Sequence, residues 1–315
     1  MICRDISKDI VRELKSLPQG WVFYALKSDT EYLYAGISKG AGKKLHGYWL
    51  RTQEDRLLAE IFEQAKTLEY CALPDSMQAL AKLKSFAMDH HPVYQHRIYP
   101  WAEYVYLGLD SHRFPFVGIQ QFSNDDWQYI GPFQSRFFLV DLLDSLSRIV
   151  KLPFCETGTF PCDKFDKEIC RGWCLALSTA KETELEHDLD KLDILLKETF
   201  MHPQNGILEM VQKERDAYYD DLEFAKADLL DDEIKLLSGY RDWLYFLYVI
   251  KDLNWETDEF RIERGQLAQA TVDGRIYDFP IDKAEYRDNE KLAIPLSITD
   301  EMKIIYDYFK ERANA

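Results

Sequence analysis

Four cysteines lie close together in residues 155–174, in the stretch CETGTFPCDKFDKEICRGWC. Intervals of six, seven and three residues separate them, and they make up four of the six cysteines in the chain. The four are Cys155, Cys162, Cys170 and Cys174. In a reducing compartment, such a cluster indicates a metal site or a catalytic group before it indicates disulfides. A shared metal would force these four positions to converge, which constrains the fold of the whole segment.

Two kinds of metal centre are compatible with the cysteine cluster. Structural zinc sites usually combine pairs of cysteines two to four residues apart, and only Cys170 and Cys174 are that close. An iron–sulfur cluster accepts wider and less even spacing. Unliganded reduced thiols are the remaining alternative, although the clustering argues against it. Cys3 and Cys71 lie far away in sequence, and we expect them to bind no metal.

Composition indicates a folded protein with more than one compact unit. The chain has 315 residues, of which 46% are hydrophobic and 14% are aromatic. It has no run of about 18–20 apolar residues that could span a bilayer, so no membrane partner is expected. The N-terminal stretch MICRDISKDIVREL lacks the basic and apolar regions of a signal peptide. We therefore expect a cytoplasmic protein.

Negative charge is concentrated in the second half of the chain. The net charge is −16, and residues 181–260 contain 22 acidic and 9 basic side chains. This region would repel phosphate backbones, so it is poorly suited to nucleic acid. It could bind a basic protein partner, or it could simply be the solvated surface of helices.

Hydrophobic periodicity predicts an α+β fold divided into five segments. In the first large segment, strands are predicted over 21–26, 32–37 and 67–72, with helices over 53–65 and 76–88. Later helices are predicted over 136–152, over 181–249 with a break near 202–206, and over 300–312. The segments are an N-terminal helix (1–17), a small α/β unit (18–96), a cysteine region (97–180), an acidic helical region (181–240) and a short α+β tail (241–315).

Four landmarks then occur in an order that resembles the N-terminal half of the UvrC excinuclease family. They are VFY and YAG (22–24 and 34–36), HPVYQ (91–95), YIGPF (129–133) and the cysteines. The resemblance covers about residues 18–237. It implies a GIY-YIG nuclease fold at 18–96, and it likens DLEFAKADLLDDEI (221–234) to the UVR helical hairpin. The RNase H-like half of the family is not expected, because only about eighty residues follow the hairpin.

The resemblance implies a phosphodiesterase site built on tyrosines, one cation and one metal-binding glutamate. Tyr24, Tyr34 and Tyr48 fall at the family's tyrosine positions, where they would orient the attacking water. Lys44 falls at the position of the family's arginine. Lysine keeps the positive charge but lacks the two-pronged geometry that matches phosphate oxygens. Lys39, Lys43 and Arg51 lie nearby, which implies weak contact with DNA at most.

The family's metal-binding glutamate is replaced by Leu83, counting back from Gln95 at the family's asparagine. The helix predicted over 76–88 contains no Asp or Glu, whereas Mg²⁺ requires oxygen ligands. We therefore expect a degenerate incision site in a DNA-repair-associated or partner-binding module. The alternative is an active metal-dependent endonuclease that makes a single incision and uses a displaced carboxylate, Glu60 or Asp89. A third interpretation is a redox-sensitive regulator whose cluster controls partner binding.

The resemblance also implies a cofactor and a partner. It favours a [4Fe–4S] cluster over zinc at the four cysteines, although EICRGWC keeps Gly172 and lacks the proline of the family's last pair. The UVR-like hairpin implies a UvrB-like or other protein partner, with a private core hairpin as the alternative. Asp231 stands where the family has arginine, and Arg215 where it often has methionine. The expected partner-binding residues are Leu222, Phe224, Ala227 and Ile234.

Overall fold

The computed structural model confirms the mixed α+β class and divides the chain into two compact units. The first unit joins Met1–Pro100, Ile250–Lys283 and Asp300–Ala315, and the second joins Trp101–Val249 and Ala284–Thr299. The tail is therefore shared between units, whereas the sequence suggested contiguous segments. The structure describes residues 1–5, 14, 17–98, 103–121, 127–151, 167, 170–174, 182–203, 206–283 and 292–313.

A four-stranded antiparallel sheet forms the centre of the first unit. Its strands are β1 (Ile2–Asp5), β2 (Trp21–Lys27), β3 (Tyr32–Ser38) and β4 (Thr67–Leu73), in the order β1-β4-β2-β3. The three strands predicted from alternation are confirmed. The segment 1–17 begins with β1, which pairs with β4, so it is not helical throughout. Most of the helix predicted for that segment lies outside the described residues.

Three helices flank this sheet. They are α1 (Ala41–Leu50), α2 (Arg56–Gln64) and α3 (Ser76–His90). The helices α2 and α3 were predicted, and each begins at an aspartate whose side chain accepts backbone N–H hydrogen bonds. The helix α1 was not predicted from the sequence SKGAGKKLHGYW. Glycines at 42 and 47 lower its helix propensity, and the burial of its apolar face offsets that cost.

The tail of the first unit is a second antiparallel sheet followed by a helix. The sheet has the strand order β11-β10-β9-β8. Aromatic contacts join helix α8 to the sheet, such as Tyr308 against Phe260, with ring centroids 6.0 Å apart. The elements are β8 (Trp255–Glu256), β9 (Phe260–Glu263), β10 (Gln266–Val272), β11 (Arg275–Asp278) and α8 (Leu296–Ala313).

Ion pairs attach this tail to α3. Lys84 Nζ lies 2.7 Å from Glu301 Oε1, which also accepts a hydrogen bond from the Leu267 backbone N–H at 2.8 Å. Both charged side chains are less than one-fifth exposed. Lys82 Nζ lies 2.7 Å from a carboxylate oxygen of Asp273. The helix α3 therefore packs between two sheets of the same unit.

The second unit contains a sheet of strand order β12-β7-β5-β6, with β12 parallel to β7. A helix predicted from its strong periodicity, α4, follows the sheet. The described helices of this unit are not long and apolar enough to cross a membrane, and neither are those of the first. The elements are β5 (Val105–Leu109), β6 (Val117–Gln120), β7 (Gln128–Phe133), α4 (Arg136–Val150), α5 (Glu182–Phe200) and β12 (Leu292–Ala293).

The acidic region continues as a helical hairpin. Its arms are α6 (Ile207–Asp220) and α7 (Phe224–Ile250), joined by a turn at 221–223. The break predicted near 202–206 is confirmed. The stretch 221–234, likened to a whole UVR hairpin, covers only the turn and the first part of α7. Arg148 of α4 contacts both arms, through Glu214 and Glu233.

Candidate functional site

Three tyrosines predicted as site residues come together on the first sheet. Tyr24 on β2 and Tyr34 on β3 have ring centroids 6.4 Å apart. Tyr48 on α1 lies 6.3 Å from Tyr34 in an edge-on arrangement. The antiparallel pairing of β2 with β3 and the packing of α1 on the sheet produce this row.

Gly36 makes room for the Tyr24 ring. The two residues are directly opposite each other in the β2–β3 ladder. A Cβ atom added to Gly36 would lie 2.5 Å from the Tyr24 hydroxyl oxygen, which is far inside van der Waals contact. The glycine of the YAG landmark is therefore required by the tyrosine on the neighbouring strand.

Burial fixes the protonation of these phenols. Tyr24 is fully buried and Tyr34 is 5% exposed. Burial raises the pKa of both hydroxyls well above the ordinary value, and the neighbouring phenols raise the pKa of Tyr34 further. Tyr48 also raises the pKa of Tyr24, whereas the nearby Tyr34 hydroxyl lowers it. Among the described residues, the Tyr24 hydroxyl has no hydrogen-bond partner of good geometry. Both groups are neutral near pH 7 and can donate hydrogen bonds.

Lys44 lies on α1 beside the tyrosine row. Its side chain is half-buried, and its Nζ is 6.0 Å from the centroid of the Tyr48 ring. Two other cations of the region contact carboxylates, Lys39 with Glu311 at 3.0 Å and Arg51 with Asp55 at 4.0 Å. Positive charge available at this site therefore comes mainly from α1.

Gln95 fastens the HPVYQ segment to β3. Its Oε1 accepts a hydrogen bond from the Ala35 backbone N–H at 3.0 Å, and its Nε2 donates to the Ala35 carbonyl at 3.1 Å. The backbone N–H groups of Val93 and Tyr94 donate to carbonyls of the same strand. The side chain thereby acts as a further peptide group beside β3. Sequence reasoning identified Gln95 only as a family position and missed this role.

The helix α3 supplies no carboxylate over 76–88. Leu83, at the family's glutamate position, is half-buried on this helix. Asp75 precedes the helix and accepts a hydrogen bond from the Gln78 backbone N–H at 2.9 Å. Among the described residues, no three His, Cys, Asp or Glu side chains are placed to hold a metal ion.

The two displaced carboxylates suggested by the sequence are already engaged. Glu60 accepts a hydrogen bond from the Tyr94 hydroxyl at 2.8 Å. Asp89 accepts one from the Tyr277 hydroxyl at 2.6 Å, and Arg275 lies 3.5 Å from its other oxygen. Both carboxylates therefore serve contacts within the unit.

The cysteine region is described in part. Cys155 and Cys162 lie outside the described residues, whereas Cys170 and Cys174 are half-buried and not disulfide-bonded. Gly172 lies between them in a left-handed conformation with a φ of 70°. The Arg171 backbone N–H donates to the Lys151 carbonyl at 3.1 Å, which ties this turn to the end of α4.

A donor without a partner lies in the same turn. The indole nitrogen of Trp173 is buried and has no hydrogen-bond partner among the described residues. A buried donor is normally satisfied by an acceptor. Two cysteine thiols and a buried N–H donor in one turn fit an anionic, sulfur-rich group. The described part of the region is therefore compatible with the expected cluster.

The hairpin presents some of the expected partner-binding residues to solvent and buries others. Leu222 is 72% exposed and Phe224 is 55% exposed, whereas Ala227 is fully buried. Ile234 is half-buried. Ala227 packs inside the unit and is not accessible to a partner, so of the four expected residues only Leu222 and Phe224, at the tip, are exposed.

Two residues that depart from the UVR pattern form a pair. Arg215 on α6 lies 3.0 Å from Asp231 on α7, and the Tyr219 hydroxyl donates to the other Asp231 oxygen at 2.9 Å. The Arg215 hydrogen bond lowers the pKa of Asp231, and the Tyr219 hydroxyl lowers it further. The two departures therefore compensate each other within the hairpin.

Comparisons with known proteins identify the class of protein to which this chain is related. The chain is a distant relative of UvrC proteins, as the landmarks predicted, and no family model matches it. Three UvrC relatives match between 50% and 76% of the chain. The chain spans only 29–40% of their length, so their complete activity does not transfer to it.

The particular relatives are each named UvrABC system protein C. The protein from Pseudothermotoga lettingae is 26% identical over 50% of this chain and 29% of its own. The protein from Pseudomonas putida is 25% identical over 71% of this chain and 37% of its own. The protein from Porphyromonas gingivalis is 20% identical over 76% of this chain and 40% of its own.

A solved structure is also similar to part of the chain. It is the GIY-YIG N-terminal endonuclease domain of UvrC from Thermotoga maritima, as a point mutant bound to its catalytic divalent cation. The two are 20% identical, and the match covers 28% of this chain and 97% of that domain. The TM-score is 0.26.

Proposed function

We propose that this protein is a UvrC-related module of nucleotide excision repair whose GIY-YIG-type site contacts phosphate without metal-dependent incision. It would work in a reducing cytoplasm through DNA and protein contacts. The competing function is a single-incision endonuclease with a relocated metal site.

One observation carries this proposal: the helix α3 has no carboxylate over 76–88, and its lysines contact the tail. Leu83 offers no oxygen to a hard cation, and Lys82 and Lys84 on either side of it bind tail carboxylates. Asp89 is bound by Tyr277, and Glu60 by Tyr94. A divalent metal at either carboxylate would share it with a contact that stabilises the unit.

The remaining groups support binding more than cleavage. The neutral Tyr34 phenol and the Lys44 ammonium can donate hydrogen bonds to a phosphate oxygen. Binding substrate and transition state equally well does not accelerate a reaction. With a lysine in place of arginine and no carboxylate for a metal, this site would retain affinity and lose most transition-state stabilisation.

The cofactor proposal is a [4Fe–4S] cluster held by Cys155, Cys162, Cys170 and Cys174, with zinc as the alternative. Such a cluster would supply one-electron redox chemistry and a rigid cross-link between distant positions. The turn at 170–174 supports it by offering two thiols and a buried donor. Iron and acid-labile sulfide would be measured with the absorbance near ~410 nm. Stoichiometric zinc in colourless protein would contradict the proposal.

The partner proposal uses the exposed tip of the hairpin. Leu222 and Phe224 form an apolar surface surrounded by carboxylates, such as Asp221 and Glu223. This combination is suited to a basic partner with an apolar anchor, such as a UvrB-like protein. Leu222→Ser should weaken that complex without altering DNA binding.

A nicking assay tests the proposed lack of incision. Purified full-length protein is incubated with damaged duplex DNA and Mg²⁺ or Mn²⁺, beside the Tyr34→Phe variant. We expect the two proteins to give the same background nicking, while Lys44→Met weakens DNA binding. Nicking by the wild-type protein that is lost in Tyr34→Phe would establish the endonuclease instead.

A further inference from the structure

We propose that the Trp173 indole N–H donates a hydrogen bond to a sulfur atom of the metal cluster and raises its reduction potential. The inference rests on the cluster proposed above. It assigns a role to a residue that the UvrC pattern does not contain, because the family has proline immediately before the last cysteine.

The first support is the position of the donor. Trp173 directly precedes Cys174 and follows Cys170 by three residues. Its indole nitrogen is buried and has no partner among the described residues. Leaving a buried N–H unsatisfied costs free energy, so such a group usually has an acceptor in the functional state.

The second support is the local structure of the turn. Gly172 takes a left-handed conformation that other residues adopt rarely, and Trp173 and Cys174 begin a helical turn after it. The Arg171 N–H is bound to the Lys151 carbonyl at the end of α4. The indole and the Cys174 thiol therefore belong to one short segment that is anchored at Arg171.

The third support is chemical. Cluster sulfides and cysteine thiolates carry negative charge and accept N–H hydrogen bonds, and these bonds tune the potential. A reduced cluster carries one more electron than an oxidised one, so a donor stabilises the reduced form more. Removing the donor should therefore make the potential more negative.

The chain offers a matched control in Trp127. Its indole nitrogen is also buried and has no partner in the part of the chain that the structure describes, but its ring packs on Gly108 and Gly118 of the β5–β6 pair. Trp127→Phe removes the same kind of group without changing the cysteine turn. It reports any general effect of losing a buried indole.

The test uses the full chain, reconstituted anaerobically with iron and sulfide. Iron and sulfide content is measured first, and the midpoint potential is then obtained by a redox titration monitored by electron paramagnetic resonance. We expect Trp173→Phe to shift the potential to more negative values and Trp127→Phe to leave it unchanged. Trp173→His, which keeps an N–H donor, should recover part of the shift.

The outcomes separate this inference from the cofactor proposal. Wild-type protein that binds no iron and sulfide would overturn both. Equal potentials in wild type and Trp173→Phe, with full cluster content, would overturn only the hydrogen bond. If Trp173→Phe fails to fold, wild-type protein with ¹⁵N-labelled indole is examined by electron–nuclear double resonance. A coupling between the reduced cluster and an indole nitrogen is expected, and its absence would overturn the inference.

Discussion

The two faces of the β2–β3 pair make different kinds of contact. On one face, Tyr24 and Tyr34 contact each other, and Tyr34 contacts Tyr48 of α1. On the other, Phe23 packs on Phe86 of α3, with ring centroids 4.9 Å apart. Successive residues of a strand point to opposite faces, so one strand carries both environments.

The difference shows that two faces of one strand pair can be stabilised by different kinds of contact. The tyrosine face is maintained by close packing, since Tyr24 fills the space above Gly36. The helix α3 is maintained by contacts with the tail instead, through Lys82 and Lys84. A tyrosine row alone is therefore weak evidence for incision, because packing is enough to explain its presence.

The largest expected effect comes from Gly36→Ala on the tyrosine face. The new Cβ would lie 2.5 Å from the Tyr24 hydroxyl oxygen. We expect the free energy of unfolding, measured in urea, to fall by about 2–3 kcal/mol. Gly47→Ala is the control, because nothing lies within 4 Å of its added Cβ, and it should stabilise α1 by about 0.5–1 kcal/mol. Equal stability of the two variants would refute the packing argument.

A somewhat smaller effect is expected on the α3 face, from Lys84→Met. This change leaves the poorly exposed Glu301 carboxylate without its cation, which should cost about 2 kcal/mol. The control Lys82→Met removes an ion pair in which the Asp273 side chain is 80% exposed. Its expected loss of unfolding free energy is about 0–1 kcal/mol. Thermal or urea unfolding measures both. A greater loss of unfolding free energy for Lys82→Met than for Lys84→Met would show that the Lys84–Glu301 pair is not the stronger contact between α3 and the tail.

At the edge of the sheet, Gln95→Ala should cost about 1 kcal/mol, because it removes two hydrogen bonds to Ala35. The specific readout is hydrogen exchange at the Ala35 amide, which should become faster. Gln95→Asn keeps the same groups on a side chain one methylene shorter and should restore protection only in part. An unchanged exchange rate at the Ala35 amide in Gln95→Ala would show that the Gln95 side chain does not protect this amide.

The smallest effect is expected in the acidic hairpin, where the pH dependence of stability tests the Arg215–Asp231 pair. The pKa of Asp231 is lowered in the folded state, chiefly by Arg215. Its stabilisation is therefore present above the unfolded pKa of about 3.9 and is lost as pH falls through the lower folded value. The stability difference between wild type and Asp231→Asn should be constant from about pH 8 to 5 and disappear in stronger acid. A difference that grew in acid would contradict the pairing.

Much of the first unit was predictable from local sequence. Alternating residues and turns predicted β2, β3 and β4, and hydrophobic periodicity predicted α2 and α3. The helix α1 was missed because its two glycines resemble a loop, whereas Leu45 is buried against the sheet. Local propensity was overridden there by packing.

The contacts of α3 could not be predicted from pattern. The Lys82–Asp273 and Lys84–Glu301 pairs join positions 191 and 217 residues apart. Periodicity describes which face of a helix is apolar and does not report which distant segment covers it. The same limit applies to Trp173, since its sequence position suggested a departure from the family and only the structure showed a buried donor without a partner.

The hydrogen bonds between Gln95 and Ala35 of β3 also restrict how this protein can associate with others. The outer edge of β3 would otherwise offer unpaired backbone groups, which invite strand addition by a foreign chain or by a second copy. The segment 93–95 occupies that edge with two backbone donors and one amide side chain. Recruitment through shared β-structure is thus blocked on this side, and resistance to edge-to-edge aggregation is gained without a charged residue inside the strand.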